Sequence, residues 1–108
     1  MVGAMEVSIE RVIKVGGDRW DVYVRLEKLG KTYRIYIPLL PRKPDKVSIE
    51  VLDEKRAIIR LFSGDSGVCT CELDLARLEG AKCLNISCSL GATWVAEESL
   101  IKSHIPGH

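Results

Sequence analysis

A chain of 108 residues with 16 basic and 15 acidic side chains has a net charge of +1 and a length that suits one domain. That balance excludes a polyelectrolyte-like binder, and no apolar stretch approaches the roughly 18–20 residues needed to span a bilayer. Glutamine is absent, Asn85 is the one asparagine and 29% of residues are charged, as hyperthermophilic proteins tend to show.

The opening, MVGAMEVSIERV, lacks a basic segment followed by an apolar run and a small-residue cleavage site, so a cytoplasmic protein with no membrane partner is expected. Residues 5–15 then alternate Val7, Ile9, Ile13 and Val15 with polar residues, and Arg11 interrupts the apolar side, which predicts a bulge or an edge position. Gly16-Gly17 is a hairpin signal. Tight pairing across it sets Glu10 opposite Tyr23 and Ser8 opposite Arg25.

Residues 19–28 (RWDVYVRLEK) and 31–38 (KTYRIYIP) alternate on either side of Leu29-Gly30. With Lys28 opposite Lys31, Trp20 falls near Leu39, and Val22, Val24 and Leu26 face Ile37, Ile35 and Tyr33. An apolar face in both strands is what fixes a register. The other face pairs Tyr23 with Tyr36 and Arg25 with Arg34. Like charges directly opposite are destabilising, so two facing arginines need a compensating anion, whether a ligand or Glu10 and Asp21 nearby.

Pro38, Pro41 and Pro44 punctuate LLPRKPD and predict a stiff connection rather than a helix or a central strand. Residues 46–52 and 56–62 form a second hairpin, with Val47, Ile49 and Val51 against Leu61, Ile59 and Ala57. SGDSG (63–67) reads as a flexible loop. Residues 68–75 turn Cys69, Cys71, Leu73 and Leu75 to one side. ARLEGA is a turn or one helical turn. Residues 82–90 turn Leu84, Ile86, Cys88 and Leu90 inward. Residues 92–96 are a last short strand, and 97–104 suit a short C-terminal helix. Seven or eight strands joined by short turns predict an all-β fold, a small antiparallel barrel (OB-like or similar) or a sandwich.

Few residues carry chemistry. Cys69, Cys71, Cys83 and Cys88 lack the tight spacing of zinc knuckles. Three of them share an inward parity with leucines and read first as buried thiols. A disulfide or a metal site remains open, and Cys83 has the opposite parity. His104 and His108 lie in the tail without an orienting partner. SGDSG lacks the lysine and the strand-to-helix setting of a phosphate loop. Neither a catalytic site nor a cofactor or metal is expected.

Charge is uneven: residues 31–60 hold eight basic and four acidic groups, and residues 61–108 hold three and six. Single-strand binders stack bases on aromatics and run the backbone along cations. The expected site is therefore a nucleic-acid-binding face of Tyr23, Arg25, Arg34 and Tyr36, with Lys31, Arg42 and Lys43 near one end. Arginine and tyrosine are also enriched at protein interfaces, so the alternative is an adaptor docking on a protein partner or a second copy. Residues 33–61 resemble the swapped-hairpin half of AbrB-type DNA-binding regulators: Ile37-Pro38 closes a strand, and Asp45-Lys46-Val47 opens the next hairpin, with Pro44 where the family has glycine. The resemblance implies a nucleic-acid partner and a dimer.

Overall fold

The computed structural model describes residues 5–80 and 82–98. Its eight strands are β1 (Met5–Val15), β2 (Arg19–Lys28), β3 (Lys31–Leu40), β4 (Lys46–Val51), β5 (Arg56–Ser63), β6 (Ser66–Asp74), β7 (Cys83–Cys88) and β8 (Gly91–Glu97), with one short helix, α1 (Leu75–Gly80), between β6 and β7. They form one antiparallel sheet in the order β1-β2-β3-β8-β7-β6-β5-β4. Two three-stranded meanders are thus bridged by the β7–β8 hairpin. The sheet curls into a nearly closed barrel in which β1 and β4 lie against each other without a ladder among the described residues. With eight strands it is larger than the five-stranded OB barrel. No helix among the described residues is long and apolar enough to cross a membrane.

The inward residues of β2, β3, β5, β6, β7 and β8 make one core, which includes Val24, Leu26, Ile35, Ile59, Leu73 and Val95, each at most 1% exposed. Burying such a side chain is worth roughly 1.5–3 kcal/mol in transfer energy. Period-2 alternation is what lets each strand supply that core while showing polar groups outside. Leu75 and Leu78 of α1 join the core. Asp74 caps the helix, its Oδ1 accepting from the Ala76 and Arg77 amides at 3.0 and 3.4 Å. Lys28, at an inward position, buries its aliphatic stem and reaches Glu79 of α1 at 2.6 Å.

The expected β2–β3 and β4–β5 registers are present, Tyr23↔Tyr36, Arg25↔Arg34 and Ile49↔Ile59 included. Differences have local causes. The bulge in β1 falls at Glu10, so Arg11 rather than Glu10 opposes Tyr23, while Ser8 does oppose Arg25. Trp20 pairs with Leu40 instead of Leu39, because β3 takes a kink at Leu39, whose φ is +58° and whose amide donates to Asp21 Oδ1 at 2.9 Å. β3 runs through Pro38, yet its ladder to β8 stops at Tyr36, so the missing proline N–H is not needed there.

SGDSG is mostly strand: Ser63 pairs with Ser66 across a Gly64-Asp65 turn, and Asp45 accepts the Gly64 amide at 3.2 Å. Leu90 is not inward but half exposed in the β7–β8 turn. The stretch resembling AbrB proteins is split, since β3 pairs with β2 and β8 while β4 pairs with β5. The expected C-terminal helix, His104 and His108 lie almost wholly outside the described residues; Glu97 ends β8.

The β2–β3 turn carries strain. Leu29 and Gly30 both have positive φ, +51° and +79°, as a two-residue turn of type I′ requires, and the leucine is 67% exposed. A bulky side chain in that region costs about 1–2 kcal/mol that asparagine largely avoids. Leu29→Asn is expected to raise stability by roughly 1 kcal/mol. Urea unfolding checks this, and a midpoint equal to or below that of the parent contradicts it.

Candidate functional site

The outer face of β2, β3 and β8 brings three aromatic rings into one row. Tyr23 and Tyr36, opposed across β2–β3, stack with centroids 5.0 Å apart and planes 28° from parallel. Across the β3–β8 ladder Tyr36 opposes Trp94, which is 52% exposed, and Trp94 in turn opposes Asn85 of β7. The row exists because Tyr23, Tyr36 and Trp94 share outward parity while Val24, Ile35 and Val95 hold their strands down from inside.

The phenol of Tyr36 donates to Asp21 Oδ2 at 2.8 Å, which fixes the ring within the stack. Partial burial, then the hydrogen bond and charge of Asp21, push its pKa up to about 12. Burial also raises Tyr33. For a phenol, a raised pKa means that the fold favours the neutral form. The associated stability is complete below about pH 10, the unfolded value, and drains away as pH climbs through about 12. Phenolate absorbance against pH is expected to show a last ionisation near that value which Tyr36→Phe deletes. An unchanged last step in that variant would mean that Tyr36 is not the group responsible.

Beside the aromatic row runs the arginine row. Arg25 and Arg34 face each other, and Arg34 opposes Ala96 on its other side. Carboxylates resolve the repulsion. Glu10, pushed out by the bulge, accepts from Arg34 Nη2 at 2.7 Å and sits 3.7 Å from Arg25. Glu27 and Glu98 hold Arg25 at 3.0 and 3.4 Å. Two guanidinium groups thus meet three carboxylates, and the cluster carries no positive surplus. The side chains are a sixth to a half exposed, so each pair is worth no more than about 1 kcal/mol.

The remaining expected residues do not join this block. Lys31 lies at the β2–β3 turn, and Arg42 and Lys43 lie beyond the other end of β3, a ten-residue strand about 33 Å long. They are not at one end together. Arg42 donates to the Gly67 carbonyl at 2.8 Å and ties the β3–β4 connection to β6. Trp94 was the residue that local reading missed. Its signal was parity, since Val95 must point inward in ATWVA, but its neighbour Tyr36 is distant in sequence.

Cys69, Cys71 and Cys88 lie on the inward side of the sheet. Cys71 and Cys88, partners across β6–β7, form a disulfide with a Cα–Cα distance of 4.0 Å. The expectation of buried thiols therefore holds for Cys69 alone, whose Sγ is 3.8 Å from that of Cys71; Cys83 is free and exposed. Among the described residues this trio is the only group of three or more cysteine, histidine or acidic side chains close enough to share a metal ion.

No protein-family model matches the chain, and no curated protein or solved structure is significantly similar to it.

Proposed function

We propose that this protein is a non-enzymatic binding module that docks on a protein partner through the outer face of β2, β3 and β8. The observation that carries this reading is the row Tyr23–Tyr36–Trp94 bordered by a charge-compensated cluster of Arg25, Arg34, Glu10, Glu27 and Glu98. Protein interfaces share that anatomy: aromatic anchors at the centre, a polar rim, and tryptophan, tyrosine and arginine over-represented. Phosphate binding needs uncompensated cations, and the arginines here are held by carboxylates of the same chain. A cytoplasmic setting suits such an adaptor.

Single-stranded nucleic acid is the second reading, favoured by the same three rings, on which successive bases can stack. It then relies on stacking, with Lys31, Arg42 and Lys43 too far apart to define one backbone path.

One experiment separates the two. Tagged protein is used to enrich partners from the source cells after nuclease treatment and at high salt, and the partner is then purified and titrated directly. The expected result is a protein partner whose affinity falls at least about thirtyfold in Trp94→Ala, as loss of a hot-spot tryptophan implies. It should be unchanged in Arg60→Ala, since Arg60 lies on β5 and pairs with Glu50. Equal affinity for the Trp94→Ala variant overturns docking through this face. Binding of a labelled single-stranded oligonucleotide that falls with salt and with Trp94→Ala selects the second reading instead.

A further inference from the structure

Inside the barrel, well away from that outer face, the three sulfurs of Cys69, Cys71 and Cys88 lie within 4.8 Å of one another. Cys69 and Cys71 are 4% and 1% exposed, and Cys88 is half buried beside them. We propose that the reduced protein holds one soft divalent cation of the Zn2+ type on the thiolates of Cys69, Cys71 and Cys88.

Several observations carry this. The 3.8 Å between Cys69 Sγ and Cys71 Sγ is the edge of a tetrahedron with metal–sulfur bonds of about 2.3 Å, which is about 3.8 Å. Strand parity, not loop spacing, produces the set: Cys69 and Cys71 are i and i+2 on one strand, and Cys88 opposes Cys71 on the next. That is why knuckle spacing was absent from the sequence.

The Thr93 hydroxyl is the one buried side-chain polar atom among the described residues without a hydrogen-bond partner. Thr93 opposes Ile86 on the inward face, diagonal to Cys88, whose direct partner Gly91 has no side chain to fill the space. Three thiolates leave the fourth position of a tetrahedral site open to a water.

The chemistry balances with a reductant of the dithiol or phosphine class. Two electrons and two protons convert the Cys71–Cys88 disulfide into two thiols: a dithiol supplies both and becomes a disulfide, or a phosphine supplies the electrons and takes the oxygen of one water, whose two protons go to the thiolates. The cation then binds three sulfurs and releases three protons. The oxidised chain has one free thiol in the group, so reduction and metal uptake are coupled.

The test uses the full chain, reduced with a phosphine under anaerobic conditions, freed of reductant and titrated with Cd2+ as the probe. Thiolate-to-metal charge-transfer absorbance is expected to saturate at one ion per chain in the reduced protein and to be absent from the oxidised protein. Affinity should fall at least about tenfold in Cys69→Ser and stay unchanged in Cys83→Ser. Three outcomes overturn the proposal: a folded reduced protein that takes up no Cd2+, a Cys69→Ser variant that binds as tightly as the parent, or loss of the band in Cys83→Ser. A reduced chain that loses its β-sheet circular dichroism and does not regain it with Cd2+ overturns it too.

Discussion

Ile35→Ala is expected to destabilise the protein by about 3 kcal/mol, within the roughly 2–5 kcal/mol range of isoleucine truncations in packed cores. Ile35 is 0% exposed and sits on the central strand of the β2–β3–β8 unit, paired with Val24 on one side and Val95 on the other. Alanine there removes three carbons and leaves a cavity under Arg34 and Tyr36, whose strand cannot sink to fill it while both neighbouring ladders hold. Ile35→Val removes a single methylene and should cost only about 0.5–1.5 kcal/mol. Guanidinium unfolding reads both, and the slope with denaturant should not change, because the surface exposed on unfolding is nearly the same. A loss under about 1 kcal/mol for the alanine variant would mean that this core collapses around the gap. The same variant tests how the proposed docking face is held: if Ile35 sets the height of Tyr36 and Trp94, affinity for the proposed partner should fall with stability.

The reason that hairpin was legible in sequence is that both of its strands alternate and a two-residue turn joins them. Lys28 opposite Lys31 then determines each later pair, down to Tyr23 against Tyr36 and Arg25 against Arg34. The bulge in β1 was legible too, because Arg11 broke the apolar parity, although its effect on Glu10 was not. A bulge moves one residue out of the ladder, and here that residue is the carboxylate that reaches both arginines.

Non-local pairings were not legible. Nothing in ATWVA says that β8 lies beside β3 rather than along β1 or β4, so the aromatic pair looked complete without Trp94. Likewise, inward parity of Cys71 and Cys88 was readable, but a disulfide requires β6 and β7 to be neighbours with those two residues in register. The compensating Glu98 reaches Arg25 across 73 positions of chain. What periodicity can state is which side of a strand a residue takes. Which strand lies next to it is decided by closure of the whole sheet, and the aromatic row on this face depends on that second fact.

Reduction of the Cys71–Cys88 disulfide is expected to cost about 3 kcal/mol in the absence of metal. The bond closes a segment with a sequence separation of 17, and the loop entropy that it removes from the unfolded chain is worth about 3 kcal/mol for loops near 15 residues. That is a large share of the roughly 5–15 kcal/mol typical of a domain. Among the described residues the β6–β7 ladder pairs only Cys71 with Cys88 and Glu72 with Ser87, so the covalent link staples two neighbouring strands where the ladder of the sheet is shortest. Loss of the link should therefore loosen that seam first, and amide exchange in Cys83–Cys88 should rise more than in β2 or β3. Paired thermal or guanidinium unfolding, with and without a phosphine reductant, measures the difference. The Cys71→Ser/Cys88→Ser variant should match the reduced parent and be indifferent to reductant. A reduced parent as stable as the oxidised one would show that the eight-stranded closure holds without the bond. Added Cd2+ should recover part of the loss in the reduced parent and none in the double serine variant, because a ligand that binds only the folded state raises its stability in proportion to the logarithm of its excess over the dissociation constant.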